Sequence, residues 1–257
     1  MVRTTLPPSE SRTLVRGLQI LRLFAAGQPV LTQSHIAEAL GLPLPTVGRL
    51  CRALVEMRFL ELDAGSRRLR LGPEIRSLAT TIPQDTTQDA REWMRALNEQ
   101  FDEDVNLAMR DDAHVLYLDT APGTSRLGVQ TQLGSRAPAH CTAVGKCLLA
   151  QLDDQIVLDR LGRGPYERRT DKTIRHWPEL RAELALIRSS GLSISIEEFE
   201  LGLAGFAVAL PQGAGGVQFA LSVAVPTARL QPDRASAIKS ALLAGPHPIP
   251  HGVEIDE

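Results

Sequence analysis

Residues 32–58, TQSHIAEALGLPLPTVGRLCRALVEMR, constrain the fold more than any other stretch, because they read as two short amphipathic helices around a tight corner. Ile36, Ala37 and Leu40 share one face of the first helix. Val47, Leu50, Cys51 and Leu54 share one face of the second, at the i, i+3, i+4, i+7 spacing of a packed helix. Gly41-Leu42-Pro43 supplies the break where a helix-turn-helix needs its corner. The opposite face of the second helix shows Thr46, Gly48, Arg49 and Arg52, the polar and cationic edge that a recognition helix offers to a major groove. A plain helical hairpin with solvated arginines has the same pattern, so this stretch alone leaves both readings open.

The residues on either side favour DNA. In FLELDAGSRRLRLG (59–72), apolar and polar residues alternate around Asp63-Ala64-Gly65-Ser66, which predicts a hairpin. A basic hairpin after a recognition helix is the wing of a winged helix, and Arg67, Arg68 and Arg70 would reach phosphates or a minor groove. Upstream, Leu14, Leu18, Leu21 and Phe24 mark a third amphipathic helix over 11–26, ended near Gly27 and Pro29. The winged helix-turn-helix is therefore expected over residues 11–72. Residues 1–80 hold eleven Arg, no Lys and six acids, a surplus of five positive charges. With 28 basic and 30 acidic residues overall, residues 81–257 carry a deficit of seven. The net charge of −2 hides this split, and a polyanion needs only a local basic face.

Composition bounds the rest. At 257 residues there is room for a second, larger core. No apolar run approaches the length of a membrane span, and MVRTTLPPSESR has no apolar signal segment, so a cytoplasmic protein without membrane partners is expected. Three cysteines, an odd number, fit reduced thiols. Residues 1–10, with Pro7-Pro8 and no apolar period, read as a disordered arm.

Pro73 to Leu78 reads as a short helix, and the polar stretch TTIPQDTTQD (80–89) as a linker, so 73–89 forms a linker helix and hinge. A helix from about Gln88 to Phe101 follows, with Trp93, Leu97 and Phe101 in register. Strands are expected at 105–110, 114–120, 126–133, 192–199, 205–210 and 217–225, and helices at 142–152, 178–190 and 235–243. This order describes a mixed sheet flanked by helices, an α+β domain over about 90–250.

Four segments together resemble the IclR family of bacterial transcription regulators: LTQSHIAEALGLPLPTVGRLCRAL (31–54), RRLRLGPEI (67–75), LGSRAPAHCTAVGKCLLA (133–150) and GLSISIEEFELGLAGFAVAL (191–210). The resemblance spans roughly residues 11–245. It implies a winged helix-turn-helix joined by a linker helix to an effector-binding domain of GAF-like fold. It further implies homodimers or homotetramers that bind palindromic double-stranded DNA operators, repressors among them, and respond to a small-molecule effector. Four residues depart from the family pattern or its helix chemistry. His35 stands where a Glu would complete a capping box with Thr32. Leu44 and Pro45 replace a polar pair at the start of the recognition helix. Gly48 costs about 1 kcal/mol relative to Ala inside a helix, which close approach to DNA or close helix packing would explain.

Carried over by these motifs, the effector contacts fall on Ala143, Val144, Ser195, Gly205, Ser222 and Ala224. Ser195 and Gly205 stand where relatives that take small carboxylic acids carry an acid and a Cys, and Ala224 where a Ser is common. A roomier, less polar pocket and a larger apolar, aromatic or acyl effector follow, oriented by the Ser195 and Ser222 hydroxyls. The same strands packing inward, with the effector held elsewhere, is the competing reading. Thr46, Arg49, Arg52, Arg67 and Arg68 are the expected DNA contacts. No catalytic, metal or cofactor site is expected. Cys141 and Cys147 are six apart, no Cys-x-x-Cys occurs, and Gly145-Lys146 lacks the first glycine of a phosphate loop, since His140 holds that place. A sensor whose winged helix no longer binds DNA stays open as an alternative, as does a thiol enzyme, which has less behind it.

Overall fold

The computed structural model describes residues 11–26, 29–63, 65–81, 85–124, 131–211 and 217–245, so the arm expected over 1–10 lies outside the described residues. The chain divides into two compact units, one up to Pro83 and one from Gln84.

The first unit runs α1 (Arg12–Leu23), a turn of 3-10 helix (Phe24–Ala26), α2 (Gln33–Leu40), α3 (Leu44–Glu56), β1 (Leu60–Leu62), β2 (Leu69–Leu71) and α4 (Pro73–Ala79). Thr32 caps α2 by accepting the His35 N–H at 3.2 Å, half of a capping box, because an imidazole at 35 cannot return the bond as a Glu does. Gly41, at φ +63°, ends α2 in the left-handed conformation that glycine adopts freely. Pro43 precedes α3 and no side chain caps that helix. Ile36, Val47, Leu50 and Cys51 are buried between the helices, and Leu60 and Leu69 of the hairpin close the core from below. Leu31 and Leu69 exchange both backbone bonds, at 2.9 and 2.8 Å, and tie the wing to the approach of α2. Gly72 is needed where β2 leaves the hairpin: a Cβ there would stand 2.1 Å from the Arg58 carbonyl oxygen.

The packed face of α1 differs in part from the one expected. Phe24 is buried and Leu21 is half-buried against the core as expected, but Gly17 and Ile20 turn inward with them, while Leu14 and Leu18 are 61% and 52% exposed. Packing against α2 and α3 makes this choice between neighbouring faces of one amphipathic helix.

The second unit contains α5 (Asp85–Phe101), β3 (Asp104–Asp111), β4 (His114–Ala121), β5 (Arg136–Pro138), α6 (Ala143–Ala150), α7 (Asp154–Leu161), α8 (Trp177–Ser190), β6 (Ser193–Ile196), β7 (Leu203–Ala209), β8 (Phe219–Pro226) and α9 (Pro232–Ala244). The strands form one sheet in the order β5-β4-β3-β8-β7-β6, antiparallel at every step. This is the α+β class. Period-2 alternation sends Val105, Leu107, Phe206 and Val223 to a core with Trp93, Leu97 and Ile238 of α5 and α9. The opposite face, with Ala108, Ala207 and Ala220, packs on α6 and α8 through Val144, Leu148, Leu180 and Leu184. Small residues on that face let α6 lie close to the sheet.

Local expectations shift in several places: strand β5 (Arg136–Pro138) has no counterpart among the expected strands, and the strand expected over 192–199 ends at Ile196. Of the strand expected over 126–133, residues 126–130 lie outside the described residues, and 131–135 form a turn rather than a strand. Helix α5 starts at Asp85, because Asp85, Thr86 and Thr87 continue a helix whose buried side begins at Ala90. Helix α7 escaped the sequence reading, since only Val157 of its eight residues is buried and no clear stripe forms.

Candidate functional site

On the first unit, Arg49 and Arg52 are exposed on α3, with Thr46 half-buried beside them. Arg67 and Arg68 are exposed in the turn between β1 and β2, where the Asp63 N–H donates to the Arg68 carbonyl at 2.8 Å. Among the described residues none of these four arginines has an acidic partner. Arg70 differs, for it pairs with Glu61 across the hairpin at 2.8 Å. Leu44 is half exposed at the start of α3. Gly48 has only the Gln33 Oε1 atom near its missing Cβ, at 3.3 Å, the end of a flexible side chain. Tight helix packing therefore does not require this glycine.

In the second unit a cavity of about 270 Å³ opens between the sheet and the start of α6. All six positions expected to contact an effector lie on its wall: Ala143, Val144, Ser195, Gly205, Ser222 and Ala224. Their convergence follows from strand register. Ser195 faces Gly205 across β6 and β7, Gly205 faces Ala224 across β7 and β8, and Ala143 and Val144 form the first turn of α6 above them. Thr142 caps that turn, accepting the Gly145 N–H at 3.2 Å and donating to the Pro138 carbonyl. The N–H groups of a helix's first turn lack intrahelical acceptors and carry the positive end of its dipole. The Ser195 hydroxyl donates to the Cys141 carbonyl at 3.0 Å, so toward a ligand it can only accept. A Cβ at Gly205 would meet the Ala143 Cβ at 3.1 Å, so the missing side chain also eases the packing of α6 on β7.

The cavity wall also contains Asn106, Tyr117, Arg136 and Phe199, which the sequence reading did not single out. Asn106 had a signal: it is the polar member of Val105-Asn106-Leu107-Ala108, in a strand otherwise buried on both faces. Burial, with the Cys141 sulfur nearby, pushes the Tyr117 phenol up to about 12, so it stays a neutral donor. Arg136 is exposed and pairs with Asp111 at 2.5 Å.

Lys146 points away from the cavity, into the protein. It is 0% exposed, and its Nζ donates to Glu198 Oε1 at 2.5 Å, the Ile194 carbonyl at 2.7 Å and Glu183 Oε1 at 2.9 Å. All three of its donors are used inside the fold, so Gly145-Lys146 is not a phosphate site. Gly145 is there because a Cβ would stand 2.3 Å from the Ala139 carbonyl oxygen.

Burial pushes the Cys141 and Cys147 thiols up to about 12, which disfavours the thiolate that a nucleophile or metal ligand needs. Burial also lowers His140, whose Nε2 lies 3.0 Å from the Glu167 carbonyl oxygen. Among the described residues no cluster of His, Cys, Asp and Glu has the makings of a metal site, and no helix is long and apolar enough to cross a membrane.

Known proteins match both units. The IclR helix-turn-helix domain matches residues 13–64, and the bacterial transcriptional regulator IclR C-terminal domain matches residues 79–249. The HTH-type transcriptional repressor AllR of Klebsiella pneumoniae is 31% identical over 226 residues, 87% of this chain and 83% of that protein. The crystal structure of a putative IclR transcriptional regulator from Silicibacter sp. superposes with a TM-score of 0.76 at 30% identity, covering 90% of this chain and 92% of that one. An IclR homologue from Microbacterium hydrocarbonoxydans, crystallised with 4-hydroxybenzoate, has the same fold, with a TM-score of 0.78 at 24% identity over 90% of this chain and 96% of that one. With both halves matched in the order that the winged helix and the cavity-bearing domain occupy here, the chain belongs to the IclR family of transcriptional regulators, which join a helix-turn-helix DNA-binding domain to a C-terminal effector-binding domain.

Proposed function

We propose that this protein binds a palindromic operator as a homodimer or homotetramer and represses transcription, and that an effector in the cavity at α6 sets its operator affinity. The observation that carries the proposal is the pairing of an exposed, acid-free arginine set on the winged helix with an internal cavity on a separate unit. Arg49 and Arg52, with Thr46, read base edges; Arg67 and Arg68 hold the backbone or minor groove. Leu14 and Leu18, exposed one turn apart on α1, offer an apolar stripe that a second copy of the winged helix would cover. A ligand that favours one arrangement of the effector domains changes operator affinity by the same factor that the operator changes ligand affinity.

Ala143, Val144, Ser195, Gly205, Ser222 and Ala224 are the effector contacts on this reading. An acid group on the effector is received at the first turn of α6 or by Arg136, and its apolar body rests on Tyr117 and Phe199. At about 270 Å³ the cavity lies at the small end of the ~300–1,000 Å³ usual for ligand sites, which fits one ring or a short acyl chain rather than a larger body. Function is regulatory and needs no catalytic group, metal or cofactor, and the protein works in the cytoplasm where its operator lies.

The test is binding of the purified protein to DNA upstream of its own gene across a salt series. Affinity far above that for random duplex, with a steep negative slope of log affinity on log salt, supports the reading. Equal weak binding to all duplexes favours a sensor without DNA function, for which the exposed Leu44 and the missing cap at α3 are the structural arguments.

A further inference from the structure

Tyr117 brings a hydroxyl to the cavity that the fold does not use. Its oxygen has no hydrogen-bond partner among the described residues, and it is not closed off from the cavity as Asn106 Oδ1 is. The ring packs against the core that includes α6, and Ala108 and Ala220 continue its row across β3 and β8. The backbone is held on the other side as well. The Tyr117 N–H donates to the Ser135 carbonyl at 3.1 Å, and its carbonyl accepts the Gly134 N–H at 2.8 Å. A phenylalanine would keep every one of those contacts, so packing explains the ring and leaves the hydroxyl without a reason. The other hydroxyls of the wall have uses nearby. Thr142 and Ser195 donate to the Pro138 and Cys141 carbonyls. Ser222 stands opposite Asn106 on β8 and can turn its proton to that unpartnered amide oxygen. Tyr117 has only the cavity before it.

We infer that Tyr117 determines effector specificity: its hydroxyl donates to an effector oxygen that bears no proton, a neutral carbonyl or one oxygen of a carboxylate. This rests on the reading of the cavity as the effector site and names the group recognised there. Burial keeps the phenol neutral with its proton in place, so it gives a hydrogen bond rather than a counter-charge. Cys141, whose sulfur lies near the phenol, comes two residues before Ala143, where α6 begins. The N–H groups of that first turn are donors too, so an oxygen acceptor suits this end of the cavity and a further donor does not. A ligand with a methylene in place of that oxygen would strip water from the hydroxyl and return no bond. Discrimination by an unpaired buried polar group is stronger than discrimination by one methylene.

The experiment is calorimetric titration of the full chain with two matched sets of probes. Benzoate, acetophenone and α-methylstyrene serve for one ring, and hexanoate, 2-heptanone and 2-methyl-1-heptene for a short chain. The last member of each set carries a methylene where the others carry oxygen. In at least one set an oxygen-bearing member is expected to bind about tenfold or more tighter than the hydrocarbon. Which of the two binds tighter tells whether the effector presents a carboxylate or a neutral carbonyl. In Y117F that preference falls to within about threefold while the hydrocarbon binds as before. Melting curves report whether Y117F keeps the fold. The chain has two tyrosines, and Tyr166 gives its hydroxyl to the Gly162 carbonyl, so isotope labelling at the tyrosine Cζ supplies a direct NMR reading. The Tyr117 signal, assigned with Y117F and Y166F, is expected to shift with the oxygen-bearing probe and not with the hydrocarbon. Equal binding within both sets overturns the inference, as does a preference that survives Y117F or a Tyr117 signal that does not move. Failure of all six probes overturns it too. Probes that bind with no need of the hydroxyl remove Tyr117 and leave the effector site in place. Operator binding by the same preparation then shows separately whether the regulator reading stands.

Discussion

Lys146 Nζ lies 2.5 Å from Glu198 Oε1, an ion pair buried where α6 meets the end of β6. The lysine is on the helix whose first turn borders the cavity, and the glutamate immediately precedes Phe199 of the cavity wall. The pair thus holds two sides of the cavity in register. Burial raises the Glu198 carboxyl above its ordinary value, against the pull of Lys146. Breaking such a pair leaves a charge buried without its partner, at about 3–5 kcal/mol. Lys146→Met is expected to lose stability on that scale in urea unfolding, and adding Glu198→Gln is expected to restore part of it. A single variant as stable as the wild type would remove the pair from the account.

Gly145 and Gly205 make contrasting predictions. A Cβ at 145 would press on the backbone of Ala139 at 2.3–2.4 Å, whereas at 205 it would meet a single methyl at 3.1 Å. Gly145→Ala is expected to cost at least about 1–3 kcal/mol, with Gly205→Ala well below it. Denaturant midpoints of the two variants check the order.

Gly48 separates stability from DNA binding. With only the flexible end of Gln33 in its way, Gly48→Ala is expected to stabilise the winged helix by up to about 1 kcal/mol. If the glycine serves close approach to DNA, the same variant loses operator affinity. A gain in Tm with unchanged operator affinity would assign Gly48 no DNA role.

The arginines divide by what they read. Arg67→Ala is expected to weaken binding to all duplexes and to reduce the salt slope by about 1, while Arg49→Ala also changes which operator is preferred. Competition titrations with operator variants distinguish them. Uniform loss in both variants would make Arg49 a backbone contact.

His140 makes the effector domain sensitive to mild acid. Burial lowers its imidazole, partly offset by the Glu167 carbonyl and carboxylate, while His114 lowers it further. The unfolded chain therefore binds a proton more readily than the folded one. The stability from neutral His140 is present above its unfolded value of about 6.5 and is lost as pH falls toward the folded one. Urea unfolding at pH 7.5 and 5.5 is expected to show a larger drop for the wild type than for His140→Gln. Equal drops would place the acid sensitivity elsewhere.

The helix-turn-helix was legible because its signals are local. Thr32 and Gly41 bound α2, Val47, Leu50 and Cys51 mark one stripe, and the charges of Arg49 and Arg52 need no distant partner. The strands of the second unit were legible in the same way, from alternation and from stops such as Gly191. The six cavity positions were reached through resemblance to a family, since no spacing connects Ala143 to Ser222; only the sheet order brings β6, β7 and β8 under α6. Tertiary structure alone decided that Gly17 and Ile20 of α1 are buried while Leu14 and Leu18 are exposed, since both pairs lie on the apolar side of the helix until α2 and α3 pack on it. It also decided that Gly205 serves helix packing, that Lys146 turns inward to Glu183 and Glu198, and that Asn106 is left without a partner. Periodicity reports how a residue sits within its own element, whereas burial, pairing and an unmet hydrogen bond depend on what the rest of the chain brings against it.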